Sequence, residues 1–355
     1  MNKYMSDNKI ARRSKAILFW FLIPVLGLTL FSCGRGGGGV EPEKREGGGE
    51  LDKVVINDNP FVKVASKPEV LLSRLNNPAA PYFSGDRIVF AESGKGVVNE
   101  YKDKKAIPLI EGFGMDSYGG YPISVLGLLS VPDKKIWVVA ASQDDGHIFI
   151  FDESTFPTTA GKGREIEFKR TEPSNPFAVL LAGKGKWLIA TGGTKSVYQG
   201  RFDVINPDPL KPVFDVASGV EEMAEDPKTG DIFGTVVGTG QNDGSLIRWN
   251  PEAEKIQPQT VAQGFTNLLG VKMLPNGMLL LLEFGGFGSP ETGRLSVLDP
   301  ANPGKTYPVL SGLDSPSGLA LGPDNTLLIT TFGKNQTDRN GMLISLKLRL
   351  ENSAR

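Results

Sequence analysis

From residue 76 to residue 350, short apolar runs alternate with polar breaks of a few residues, and the runs come in sets. The sharpest set is Pro316-Ser317-Gly318-Leu319-Ala320-Leu321-Gly322-Pro323-Asp324-Asn325-Thr326-Leu327-Leu328-Ile329-Thr330-Thr331-Phe332-Gly333. Its first part is small and apolar. Its middle, Pro323-Asp324-Asn325, is turn chemistry: proline presets φ, and Asp and Asn tolerate left-handed backbone. Its last part is β-branched, aliphatic and aromatic, as a buried strand requires. The pattern predicts a strand, a tight turn and a second strand.

Weaker copies precede it. Their turns are Gly85-Asp86, Asp133-Lys134, Lys184-Gly185, Thr229-Gly230 and Asn276-Gly277, so that with Asp324-Asn325 the turn recurs every 45 to 51 residues. A small or apolar run precedes each turn and a strand-like run follows. A third strand is expected at residues 148–152, 202–206, 246–250, 295–299 and 342–348. Six units of this period, each of three or four short strands, predict an all-β, six-bladed β-propeller. The expected blades are 76–118, 119–172, 173–219, 220–266, 267–313 and 314–350. Strand-like residues 53–56 and 61–64 precede the first unit, and the last lacks an outermost strand. One early strand, from residues 51–75, is therefore expected to complete the last blade, because an unclosed ring would leave a sheet edge exposed.

The first 50 residues follow a different pattern. Lys3, Lys9, Arg12, Arg13 and Lys15 precede an apolar run over residues 16–31, which is short for a bilayer span and carries Pro24 and Gly27. This reads as a signal peptide over residues 1–32. The run ends at Leu30-Phe31-Ser32-Cys33, which resembles the bacterial lipobox and contains the chain's single cysteine. That resemblance implies cleavage before Cys33, diacylglyceryl attachment and further acylation (palmitate-type chains), and durable membrane anchoring. Residues 34–50 are almost all Gly, Glu, Lys and Arg, unable to repay the entropy of ordering. They read as a flexible tether with an rms reach of about 20–25 Å. With Gly34 rather than Asp after the cysteine, the resemblance implies the outer membrane of the cell envelope. The propeller is expected over 51–350, with a short tail at 351–355.

Charge adds little. The chain has 39 Lys and Arg against 40 Asp and Glu, a net of −1, which becomes −5 once the basic leader is removed. No basic stripe interleaves with aromatics, so a nucleic-acid partner is not expected. With Cys33 assigned to lipid, no disulfide or cysteine-based metal site remains. The one histidine, His147, would have to serve any serine triad or histidine metal site, and it falls where a turn enters a strand.

The repeat Pro316 to Ile329, with a second copy at Leu269-Gly270-Val271-Lys272-Met273-Leu274-Pro275-Asn276-Gly277, resembles that of NHL and gluconolactonase-like propellers. Such patterns specify fold better than function. The hydrolases among them imply a calcium-type ion held by carboxylates and amides at the channel mouth. Here Glu92 and Glu283, at the ends of second strands, are the candidate metal ligands, supplemented by Asp144, Asn242 or Asp243. Equally, the two glutamates are solvated or cap backbone N–H groups. Asp144-Asp145-Gly146 and Asn242-Asp243-Gly244 read as turns. The longer polar loops after second strands should share one rim, where recognition usually resides. Asp144, Asn242, Asp243, Phe284 and Phe287 are the candidate binding residues there. The leading expectation is a non-enzymatic binding or scaffolding lipoprotein for an envelope protein or glycan. The alternative is a metal-dependent lactonase- or esterase-like hydrolase.

Overall fold

The structure, a computed structural model, describes residues 51–351 apart from 170–174, 192–194, 290 and 334–338. The leader, Cys33, the tether and the last four residues lie outside the described residues. Six antiparallel sheets follow one another along the chain, and among the described residues the only helices are single 3₁₀ turns. Each sheet is a blade whose first three strands run outward in chain order. In the fifth the successive strands are Leu268–Met273, Leu279–Glu283, Gly293–Leu298 and Thr306–Leu313.

The second strand of a blade has a neighbour on both edges and a blade on both faces, which explains its continuous apolar composition. All six residues of Ile136–Ala141 and all five of Leu279–Glu283 are buried. Fourth strands meet water, and Gln259–Phe265 is mostly exposed or half-buried. The six large apolar clusters each join two consecutive blades, including the sixth to the first, so the ring is closed by packing. Each fully buried Leu, Ile, Val or Phe contributes roughly 1.5–3 kcal/mol.

The ring is also closed by hydrogen bonds. The last strand, Gly341–Leu350, pairs on its outer edge with Glu69–Leu75, which supplies the missing fourth strand. Val62–Val64 pairs with the far end of the same strand. The expected closing strand proves to be two segments, both within residues 51–75: Val62–Val64 belongs to a run singled out in the sequence, and the main one, Glu69–Leu75, follows those runs. Its pattern, Glu-Val-Leu-Leu-Ser-Arg-Leu, mixes exposed and half-buried positions as an outer strand does. Val55–Ile56 instead adds a fifth strand to the fifth blade.

One further expectation is corrected. The third strand of the third blade is Ser196–Arg201, not residues 202–206. Val197 and Tyr198 are fully buried there, whereas Asp203 accepts the N–H groups of Ile205 and Asn206 and bends the following segment into a turn. The turn chemistry of the sharpest repeat is as expected, with φ of 52° at Asp324 and 58° at Asn325.

The innermost strands carry a shared irregularity. Pairing with the second strand slips at Ala79/Tyr82, Val125/Gly127, Val220/Met223, Leu268/Gly270 and Pro316/Gly318. A bulge of this kind re-aims the extra residue. Gly318 follows one bulge because an added Cβ would lie 2.5 Å from Pro81 Cδ of the next blade. Small residues are what let the inner strands crowd together around the axis.

Candidate functional site

The bulges decide what lines the channel. The skipped residues are Ala80, Pro81, Leu126, Glu221, Glu222, Leu269 and Ser317, and all of them except Pro81 line one small cavity of ≈50 Å³ near the channel mouth. The third blade contributes Phe177. The wall is apolar except for Ser317 and the two adjacent glutamates of the fourth blade. Glu221 is buried, and Glu222 pairs with Lys272 of the fifth blade at 3.3 Å. The Glu222 backbone N–H donates to Thr235 Oγ1 at 3.0 Å, fixing the bulge from within its own blade.

The mouth above is stoppered. The connection between the first two blades forms a small hairpin, Asp116–Tyr118 with Tyr121–Ile123. Tyr121 packs 5.0 Å from Phe332 and 6.0 Å from Phe284, ring centre to ring centre. Together with Ala79 and Ile123 these rings form a seventh cluster. The cavity beneath has room for water, and it is far smaller than the roughly 300–1,000 Å³ of ordinary ligand pockets.

Glu92 and Glu283 stand outside this cavity, in the first and fifth blades. Both are buried, and they play one structural part twice. Glu92 accepts the backbone N–H of Asn76 at 2.9 Å and pairs with Lys95 at 2.6 Å. Glu283 accepts the N–H of Thr266 at 2.9 Å and binds Arg294 through both oxygens, the Nη2 contact being 2.9 Å. That hydrogen-bonded carboxylate holds the Arg294 guanidinium above its usual pKa. Each glutamate ties the entry of its blade's first strand to the exit of the second. Thr191 does the same in the third blade, its hydroxyl accepting the N–H groups of Phe177 and Ala178. Among the described residues no cluster of three or more Asp, Glu, His or Cys could hold a metal ion. Glu92 and Glu283 turn their oxygens to donors of their own blades rather than to one another.

The remaining candidates gather on the mouth side, as the rim expectation requires. Asp243 accepts Thr239 N–H at 2.8 Å, Thr239 Oγ1 at 2.7 Å and Gly240 N–H at 3.0 Å. Those donors hold its carboxyl below the usual range. Asn242 lies 3.3 Å from the Thr266 hydroxyl. Asp144 is exposed, in a turn with φ of 47°. Phe284 is buried in the stopper, and Phe287 stacks on it at 4.9 Å while staying 43% exposed. His147 lies apart, its Nδ1 2.6 Å from Glu165 Oε1 and its ring stacked on Phe149.

Glu221 and Glu222 escaped the sequence reading. A signal was present: in the fourth unit two acids occupy inner-strand positions that are small or apolar in the other units. Only the bulge, invisible in the sequence, sends them to the axis.

Fold and mouth together define a six-bladed propeller with an internally capped channel. Solved structures similar to this chain include a gluconolactonase of Xanthomonas campestris, at 14% identity over 83% of this chain and 97% of that one, TM-score 0.61. An aldose sugar dehydrogenase of Streptomyces coelicolor in its PQQ-bound form matches at 16% identity over 83% and 100%, TM-score 0.61. A calcium-binding regucalcin of Agrobacterium tumefaciens matches at 14% over 79% and 93%, TM-score 0.55. At such identities the likeness is one of fold. No family model and no curated protein sequence matches the chain.

Proposed function

We propose that the protein handles a small sugar-derived ligand at its channel mouth and acts there as a hydrolase of the lactonase kind. The observation that carries this reading is the pair Glu221 and Glu222, adjacent carboxylates delivered by a bulge into an otherwise apolar cavity on the propeller axis. Carboxylates in such a place cost free energy, so their presence points to chemistry. The similar structures named for a gluconolactonase and a sugar dehydrogenase favour this over a scaffolding role.

Glu221 takes a proton from water as its oxygen attacks the lactone carbonyl. The ring C–O bond then breaks, and the proton returns to the departing alkoxide, leaving a hydroxy acid. Glu222 is held by its ion pair with Lys272, which leaves Glu221 as the proton acceptor. The ring stopper has to lift for a lactone to enter. Hydrolysis of a six-membered aldonolactone, followed by acid release, tests the reading. Glu221→Gln should lower the rate about 100-fold without moving Tm. A wild-type protein no faster than buffer, or a Gln variant as fast as wild type, rejects it.

A second reading, an anchored binding module without catalysis, is favoured by the closure of the mouth by Tyr121, Phe284 and Phe332. In either case we propose lipid anchoring at Cys33 in the bacterial cell envelope. Cys33→Ala should then release the protein from membrane fractions; retention would argue against it.

A further inference from the structure

Of the residues that the bulges send to the axial cavity, one is polar besides the two glutamates: Ser317 of the sixth blade. We propose that Ser317 is a positioning residue for the hydrolytic water. Its Oγ accepts one O–H of the water while Glu221 accepts the other. The role rests on the hydrolase reading and sets which nucleophile the site selects.

Ser317 is locked before any ligand arrives. Its hydroxyl donates to the Pro78 carbonyl at 2.5 Å, with Thr330 Oγ1 a second acceptor at 3.1 Å. Pro78 starts the inner strand of the first blade, so the bond crosses the seam where the ring closes. Thr330 belongs to the second strand of the sixth blade and is fully buried. The backbone is fixed as well. A Cβ added at Gly318 would lie 2.5 Å from Pro81 Cδ and 2.8 Å from Thr330 Oγ1.

The single hydroxyl hydrogen is thus spent inside the fold, and what Ser317 offers the cavity is lone pairs. Lone pairs do not stabilise a lactone carbonyl or its oxyanion, both of which call for donors. They do receive a donor, and water brings two. A cavity of ≈50 Å³ has room for a water, which needs two to four polar partners. Ser317 and Glu221 supply two of them. With both O–H groups directed, the water's free lone pair is left to attack the carbonyl carbon, as a near-attack geometry requires. The new O–C bond forms and the ring C–O bond breaks. The proton taken by Glu221 passes to the departing ring oxygen, and the proton on the Ser317 side stays on the new carboxyl group until solvent removes it.

Methanol tests the role, because it has one O–H group where water has two. The full chain in detergent is given a six-membered aldonolactone in water with added methanol, and the hydroxy acid and its methyl ester are measured separately. In Ser317→Ala, hydrolysis should fall about tenfold with KM unmoved. Methanolysis should change little, so the ester-to-acid ratio should rise about tenfold. A purely structural serine would slow both alike and leave the ratio where it was. Ser317→Cys keeps the shape with a poor acceptor, should move the ratio the same way, and serves where the Ala variant does not fold. An unchanged ratio in a folded variant, with wild type active and Glu221→Gln slow, overturns the role of Ser317 alone. A wild-type protein no faster than buffer removes the hydrolase reading and this role with it.

Discussion

Tyr121 and Phe332 face each other 5.0 Å apart across the channel mouth, one from the connection between the first two blades and one just beyond the second strand of the sixth. The contact joins the two ends of the ring above the axis. It does so with rings that gain packing energy beyond their buried area, roughly 0.5–1.5 kcal/mol per pair.

Tyr121→Ala should therefore cost about 3 kcal/mol, because a large and almost wholly buried side chain is lost. Thermal melting reads the cost. If the hydrolase reading holds, the same variant should admit lactone more readily and lower KM. A variant as stable as wild type would mean that the stopper is not part of the folded core.

Glu283 should prove structural. Glu283→Gln leaves Arg294 and the Thr266 N–H with a weaker partner. Arg294 is partly exposed and rehydrates, so the expected loss is about 1–2 kcal/mol. Calcium should leave the melting temperature of wild type unmoved. A calcium-dependent rise that disappears in the Gln variant would restore Glu283 as a metal ligand, since a bound ion stabilises by mass action.

The rim loop around Asp243 should respond to acid. Its carboxyl titrates below the ordinary range because Thr239 and Gly240 donate to the ionised form. A depressed folded-state pKa means that the loop's order is fully present above the unfolded value. It is lost as pH falls through the folded one. Amide exchange at Thr239 and Gly240 should speed up in that acid window and stay slow at neutral pH. Equal exchange at both would show that the carboxylate does not hold the loop.

Removing residues 51–75 should abolish cooperative folding. It strips the fourth strand from the sixth blade and bares the edge of Gly341–Leu350. Removing 51–58 alone takes away the exposed edge strand Val55–Ile56 with the half-buried Leu51 and Val54 and should lower Tm less than the longer truncation does. Comparable melting of the longer truncation and the full chain would refute closure by Glu69–Leu75.

Sequence alone determined the six-fold repeat, and with it the ring. The reason is that period, turn chemistry and burial on two faces are local: Pro323-Asp324-Asn325 turns the chain whatever lies around it, and a run such as Ile136 to Ala141 declares that both its faces are covered. The mouth-side rim was legible for the same reason, since Asp243 and Phe287 sit in loops of one kind. What touches what across the axis was decided only in three dimensions. Glu92 and Glu283 look like ligands in the sequence, and the fold turns them back onto the N–H groups of Asn76 and Thr266. Glu221 and Glu222 look like ordinary strand residues, and a one-step slip in pairing carries them into the cavity. That residues from 51–75 complete a blade more than 240 positions away followed from the missing outer strand, but which residues do so, 69–75 in the main, was settled only by the pairing.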